Sequence, residues 1–292
     1  MSYSGWIIIT GVLVGLTCGI TGSLIVLRKT AMLADAISHT VLLGIVGAFL
    51  VTQSLNGLPM LIGASIVGIL TAFLIETLNK QGVQKDASIG VIFTTLFALA
   101  VVLISTSIGK QVHLDTEHAL MGEIAFVPWN RLVFRGIDLG PKAIWMLGSV
   151  LLISLVVILL FYKQIKISTF DHHFAILIGI PVTLIHYLIT TLVSLATVAS
   201  FNSVGAILVV AMLIVPGATA YLLSERLVHV IVLSGIIGAL SALIGYYFAV
   251  KWNVSISGSM ASATGLVFML AFLFNPRDGL CIKLWRQLNS KG

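Results

Sequence analysis

Leu33-Ala-Asp-Ala-Ile-Ser-His-Thr-Val-Leu-Leu-Gly44 is an apolar run that carries one carboxylate, Asp35, and one imidazole, His39. Read as a membrane-spanning helix, it places both groups on one face, because positions i and i+4 lie roughly 6 Å apart along the axis. Carboxylate and imidazole are both common ligands of divalent metals. An ionisable side chain at membrane depth is costly unless it meets a cavity, a partner or an ion. The pair is therefore either part of a metal site or a hydrogen-bonded strut within a helix bundle.

The rest of the chain agrees with the membrane reading. Hydrophobic residues make up 59% of the 292, charged residues only 9%, and mean hydropathy is +1.13, values outside the range of a soluble domain of this length. Apolar runs of about 20 residues recur almost end to end, each long enough to cross a hydrocarbon core of about 30 Å. No polar segment between them is long enough to fold alone, so residues 1–292 read as a single transmembrane domain. The first span, from about Gly5, lacks a basic leader and an evident cleavage site, and is expected to be retained. Cys18 and Cys281 fall at different depths and give no disulfide framework. The net charge of +6 is scattered over short loops rather than gathered into a basic stripe with interleaved aromatics, which argues against nucleic acid as a partner.

Hydropathy predicts spans near Gly5 to Leu27, Leu33 to Thr52, Leu58 to Leu78, Ala87 to Ile108, Ile144 to Tyr162, Pro181 to Phe201, Val204 to Leu223, Val228 to Val250 and Ser257 to Phe274. If all nine cross, eleven Lys and Arg residues fall on one side and five on the other. The positive-inside rule then puts the N-terminus outside and the C-terminus in the cytoplasm. Pro216-Gly217 interrupts the seventh segment, which reads either as a crossing or as a short broken helix lining a cavity, so eight or nine spans are expected. Asn202 and Ser203 are placed to cap that segment. Gly11, Gly15, Gly19 and Gly22 have the spacing that lets helices approach closely in lipid, a spacing common to many bundles.

Outside the spans, Gly109 to Lys142 is the longest polar stretch, and its His113, Asp115, Glu117, His118 and Glu123 read as a solvated loop face or a cation-gathering cluster. Ser168 to Pro181 reads as a short surface helix leading into a span, with His172 and His173 pointing about 100° apart and so ill placed to share an ion. His186 is expected to be a hydrogen-bonded bundle histidine or a transient ligand, and Glu76 an interfacial carboxylate.

Three stretches together resemble the metal-cation ABC permeases, the membrane subunits of bacterial manganese, zinc and iron importers. They are Leu33 to Gly44, Phe170-Asp-His-His-Phe-Ala-Ile-Leu-Ile-Gly179, and Ser203-Val-Gly-Ala-Ile-Leu-Val-Val-Ala-Met-Leu-Ile-Val-Pro-Gly-Ala-Thr-Ala220. The resemblance extends over essentially the whole chain. It implies an all-α helix bundle with the type II importer fold, related to that of the vitamin B12 and iron-siderophore permeases, acting as a homodimer in the bacterial plasma membrane. It also implies two cytoplasmic ABC ATPase subunits as partners and an extracellular, membrane-tethered metal-binding lipoprotein. The family's pore ligands fall on Asp35 and His39, with Met212 and Pro216 near the translocation path. The ATPases would dock around Phe170 and Asp171 and around Ser224, Glu225 and Arg226.

The physics of the pair is compatible with that role. Two copies facing a two-fold axis would supply two carboxylates and two imidazoles, a set suited to Mn²⁺, Zn²⁺ or Fe²⁺ and, without thiolates, able to release its ion. Imidazole binds metal only when neutral, so uptake should fall in acid. The chain contains no Gly-x-x-x-x-Gly-Lys-Ser/Thr loop, so it is expected to hydrolyse no ATP itself, and its driving force must come from a partner ATPase or from an ion gradient. A proton-coupled carrier would be expected to hold more acidic residues within its spans. An intramembrane metalloprotease would need a third ligand and a general base, and neither His-Glu-x-x-His nor Gly-x-Ser-x-Gly occurs. The chain reads as a transport subunit and not an enzyme.

Overall fold

The computed structural model describes residues 3–53, 57–108, 124–134 and 137–275. The His113 to Glu123 cluster and the basic tail beyond residue 275 lie outside them. The helices are α1 (Tyr3–Leu27), α2 (Ala31–Thr52), α3 (Gly57–Lys80), α4 (Lys85–Leu103), α5 (Lys142–Leu160), the short α6 (Tyr162–Phe170) and α7 (His172–Leu177), then α8 (Val182–Val204), α9 (Ala206–Leu223), α10 (Leu227–Trp252) and α11 (Ile256–Phe274). Among the described residues nine of these, all but α6 and α7, are long and apolar enough to cross a membrane.

Two features depart from the sequence reading. A two-turn 3₁₀ segment, Ile124–Trp129, leads into an antiparallel hairpin of β1 (Arg131–Phe134) and β2 (Ile137–Pro141), so the helical bundle carries one small β element among the described residues. Of the two readings left open at Pro216-Gly217, the unbroken helix holds, and the boundary between the sixth and seventh spans falls at Gly205, a few residues beyond its expected place. Helix α9 runs unbroken through Pro216, while α8 and α9 are joined by Gly205 alone, which adopts φ +79°. That left-handed conformation is inexpensive only for glycine, and it turns the chain in one residue within buried surroundings. Ser203 and Asn202 accordingly sit in the last turn of α8 rather than capping α9.

Helix α1 is the central column and packs against α10, α9, α8 and α5. Its glycines set those contacts. A Cβ on Gly15 would overlap the backbone of Gly238 in α10, and one on Gly22 would overlap the Leu213 carbonyl in α9. A Cβ on Gly19 would come within 2.6 Å of the Ser234 carbonyl oxygen. In lipid, where there is no water to expel, such backbone-distance packing is a main source of helix association. Hydroxyls buried in this column are satisfied locally: Thr17 donates to the Leu13 carbonyl at 2.7 Å and Thr21 to the Thr17 carbonyl at 2.7 Å. Around the column, α2 packs on α3, α4 and α8, which places the Asp35 helix at the side of the bundle rather than at its centre.

Gly22→Val should therefore cost about 3 kcal/mol or more through overpacking, seen as loss of a monodisperse folded species on size-exclusion chromatography in detergent. Gly47→Ala, where a Cβ meets nothing within 4 Å, should leave that profile unchanged.

Candidate metal centre

Helix α2 starts after Thr30, whose carbonyl accepts the Leu33 N–H at 2.9 Å and whose hydroxyl donates back to the Ile25 carbonyl at 3.2 Å. From that start, positions 33, 34, 36, 37, 38, 40, 41 and 42 are buried against neighbouring helices. Met32, Asp35, His39, Leu43, Gly47 and Leu50 form one open stripe, spaced at three or four residues. Asp35 and His39 thus lie on a partly exposed stripe of α2, with side chains 44% and 32% exposed, while Leu43 and Leu50 of the same stripe also pack against the cluster of Leu42, Val46, Phe49 and Ala100.

His39 Nε2 lies 3.6 Å from Asp35 Oδ1, too long for a hydrogen bond and short enough for both atoms to meet one ion. The imidazole is held by two aromatic rings of α4: Phe93, with centroids 5.6 Å apart, and Phe97, edge-on at 5.8 Å. These phenylalanines were not evident as site residues in the sequence, although their i, i+4 spacing marks them as one face of α4. Among the described residues no group of three His, Cys, Asp or Glu side chains converges. One chain therefore offers two donors, fewer than the four to six that divalent transition metals take.

The other candidates gather at the N-terminal end of α2, where the α1–α2 link, the α3–α4 turn, α6, α7 and the start of α8 meet around a cavity of about 460 Å³ whose wall includes Leu33, two residues before Asp35. His186 lines this cavity and does not join Asp35 and His39. Glu76, also in its wall, pairs with Lys80 at 2.9 Å. Arg28 reaches from the α1–α2 link to α6, its Nη2 donating to Ser168 Oγ at 2.6 Å and its Nε to Thr169 Oγ1 at 3.2 Å. Burial lowers the Arg28 guanidinium to about 10, which still leaves it charged at neutral pH. Met212 and Pro216 are packed in the bundle core, away from the open stripe of α2.

At this same end the expected surface helix is split in two. Asp171 separates α6 from α7 and caps α7, its Oδ1 accepting the Phe174 N–H at 2.8 Å. His172 and His173 stand edge to face, with ring centroids 6.1 Å apart and ring planes at 89°. Phe170 is exposed, and α7 with the residue after it adds Phe174, Ile176, Leu177 and Ile178, Leu177 being 82% exposed. Sequence reasoning singled out only Phe170 and Asp171 in this patch. Ser224, Glu225 and Arg226 form the neighbouring α9–α10 link, where the Arg226 N–H donates to Ser224 Oγ at 3.4 Å.

Nine apolar helices among the described residues, each long enough to span, define a polytopic membrane protein, with Asp35 and His39 on a partly exposed face of α2. A family model described as the ABC 3 transport family matches residues 2–275, and the chain belongs to that family. It is 60% identical over 289 residues to "Manganese transport system membrane protein MntD" of Bacillus subtilis (strain 168), covering 99% of this chain and 98% of that protein. It is 39% identical to "Zinc transport system membrane protein TroD" of Treponema pallidum (strain Nichols), covering 94% of this chain and 74% of that protein. Among solved structures it matches "PsaBC from Streptococcus pneumoniae in complex with Fab" with a TM-score of 0.80 at 30% identity, covering 100% of this chain and 96% of that one.

Asp171→Ala should remove the α7 cap at a cost of about 1 kcal/mol, read as faster hydrogen exchange at the Phe174 amide, with Asp171→Asn retaining protection.

Proposed function

We propose that this chain is the membrane permease subunit of an ABC importer, passing a divalent transition metal through a pore built from two copies and driven by separate ATPase subunits. The observation that carries the reading is the open stripe of α2. It presents two metal donors, Asp35 and His39, flanked by apolar Met32, Leu43 and Leu50. A two-fold axis beside that stripe doubles the donors to two carboxylates and two imidazoles and covers the apolar positions at the same time. Manganese is the preferred cargo, since a set of O and N donors without thiolate suits it and manganese relatives match over nearly the full chain, with zinc or iron accommodated by the same chemistry.

The remaining surfaces fit the same assembly. The exposed apolar patch of Phe170, Phe174 and Leu177 lies at the end of the bundle rich in Lys and Arg, which the positive-inside rule makes cytoplasmic. An apolar patch in that position is suited to a protein partner, and two cytoplasmic ATPases docking there and at Ser224, Glu225 and Arg226 would supply the ATP hydrolysis that this chain has no motif for. The opposite face would receive metal from an extracellular binding lipoprotein. The whole chain acts as one permease domain of the bacterial plasma membrane, with its N-terminus outside and its C-terminus inside.

Asp35→Ala and His39→Ala should each lower metal uptake at least about tenfold in cells that also hold the ATPase and binding-protein subunits, with the variants inserted and assembled at parental levels. Leu43→Cys should form a disulfide between two copies on mild oxidation. Uptake at the parental rate would remove the ligand role, and absence of the cross-link in an assembled complex would remove the axis from α2.

A further inference from the structure

Among the described residues, the wall of the cavity at the basic end carries more positive than negative charge. Its walls include three cations, Arg28, Lys80 and Lys85, against one carboxylate, Glu76, and that carboxylate is already engaged by Lys80 at 2.9 Å. Asp86 follows Lys85 in sequence but is not part of the cavity wall. Arg28 is half-buried and meets only neutral partners, the Ser168 and Thr169 hydroxyls. A guanidinium carries five N–H donors, and among the described residues only two of those of Arg28 have protein acceptors. A cationic hollow of this kind repels a metal dication, and no trio of metal-ligating side chains converges in it.

We propose that this cavity is a binding site for a phosphate-bearing anion. The planar fork of Arg28 matches two oxygens of a phosphate, and Lys85 supplies a second positive charge from the start of α4. Asn79 and Thr183 add neutral polar groups to the wall. The volume, about 460 Å³, falls in the range of small-molecule sites and exceeds what a bare inorganic ion needs. Apolar wall residues such as Leu33, Ile75 and Ile89 would contact the carbon portion of a phosphate ester. An anionic lipid headgroup and a soluble phosphate share this chemistry, and basic pockets between transmembrane helices are known to take the former. Bound there, the anion would bridge the α1–α2 link, α4 and α8, and through Arg28 it would also reach α6. The site does not depend on the metal role of Asp35 and His39.

The test uses the full chain in nanodiscs of phosphatidylcholine. In one arm, binding of radiolabelled inorganic phosphate is measured; in the other, phosphatidylglycerol is mixed into the bilayer and retained lipid is counted by native mass spectrometry. The parent should bind in at least one arm, and Arg28→Gln or Lys85→Gln should weaken that binding about tenfold. Lys163→Gln, an exposed cation of α6 outside the cavity wall, should leave it unchanged. Lys85 is itself exposed, so its variant is expected to fold even if the Arg28 variant does not. Binding in the lipid arm alone identifies a headgroup site, and binding in the phosphate arm identifies a soluble ligand. Absence of binding in both arms, or equal losses in the Lys85 and Lys163 variants, overturns the site.

Discussion

The contact on which the rest of the structure depends is the backbone-distance packing of α1 against α10 and α9. Apolar side chains gain little by leaving lipid for protein, so a membrane bundle is held by dispersion at close range and by hydrogen bonding. Gly15 against Gly238 and Gly22 against Leu213 remove the side chains that would keep the helix axes apart. Buried hydroxyls such as Thr17 and Thr21 then bond to their own helix and demand nothing of the neighbour. With the column fixed in this way, α2 is left beside it with one face covered by α3, α4 and α8 and one face open.

That arrangement explains how two ionisable groups persist within an apolar span. A fully buried carboxylate would have to be neutralised or paired. Asp35 and His39 are not fully buried but stand partly exposed on the stripe. Phe93 and Phe97 restrict the imidazole from the side and leave its Nε2 directed toward Asp35. The pair is thus oriented without being consumed by protein contacts. A strut inside the bundle, the other reading open to the sequence, would have its donors and acceptors satisfied by neighbours at hydrogen-bond distance, and the 3.6 Å separation does not provide that.

Much of the fold was legible because hydropathy acts on whole segments. Nine apolar runs in the sequence match nine helices long enough to span, with differences of a few residues at their ends. The site was legible for the same reason that it is costly: Asp35 and His39 interrupt an apolar pattern, and a period of four puts them on one face. What local pattern did not disclose depended on tertiary context. Proline often marks a helix break, yet Pro216 is accommodated in α9, and the junction between the sixth and seventh spans was placed within a few residues of Gly205 without showing that its single-residue link rests on a positive φ. The glycine spacing of α1 suggested close packing but not its partners, since Gly238 and Leu213 lie about 200 residues away in the chain. Arg28 looked like an ordinary loop cation, and its function as a cross-link to Ser168 and Thr169 required the two elements to be brought together.

That cross-link also bears on the position of α2. Arg28 lies in the short link before α2, and its acceptors close the last turn of α6, immediately ahead of the exposed Phe170 and the Asp171 cap. A displacement of α6 must either carry the α1–α2 link with it or break two hydrogen bonds from a charged donor, each worth about 1.5–3 kcal/mol when the donor is ionised. The first course is the less costly when the link itself is only three residues long, from Arg28 to Thr30. Because α2 is a continuous helix from Ala31 through His39, motion imposed at its start reaches the open stripe as a shift of the whole rod rather than as a local bend. The exposed apolar patch and the Asp35–His39 pair are therefore connected by two hydrogen bonds, the three-residue link and one helix.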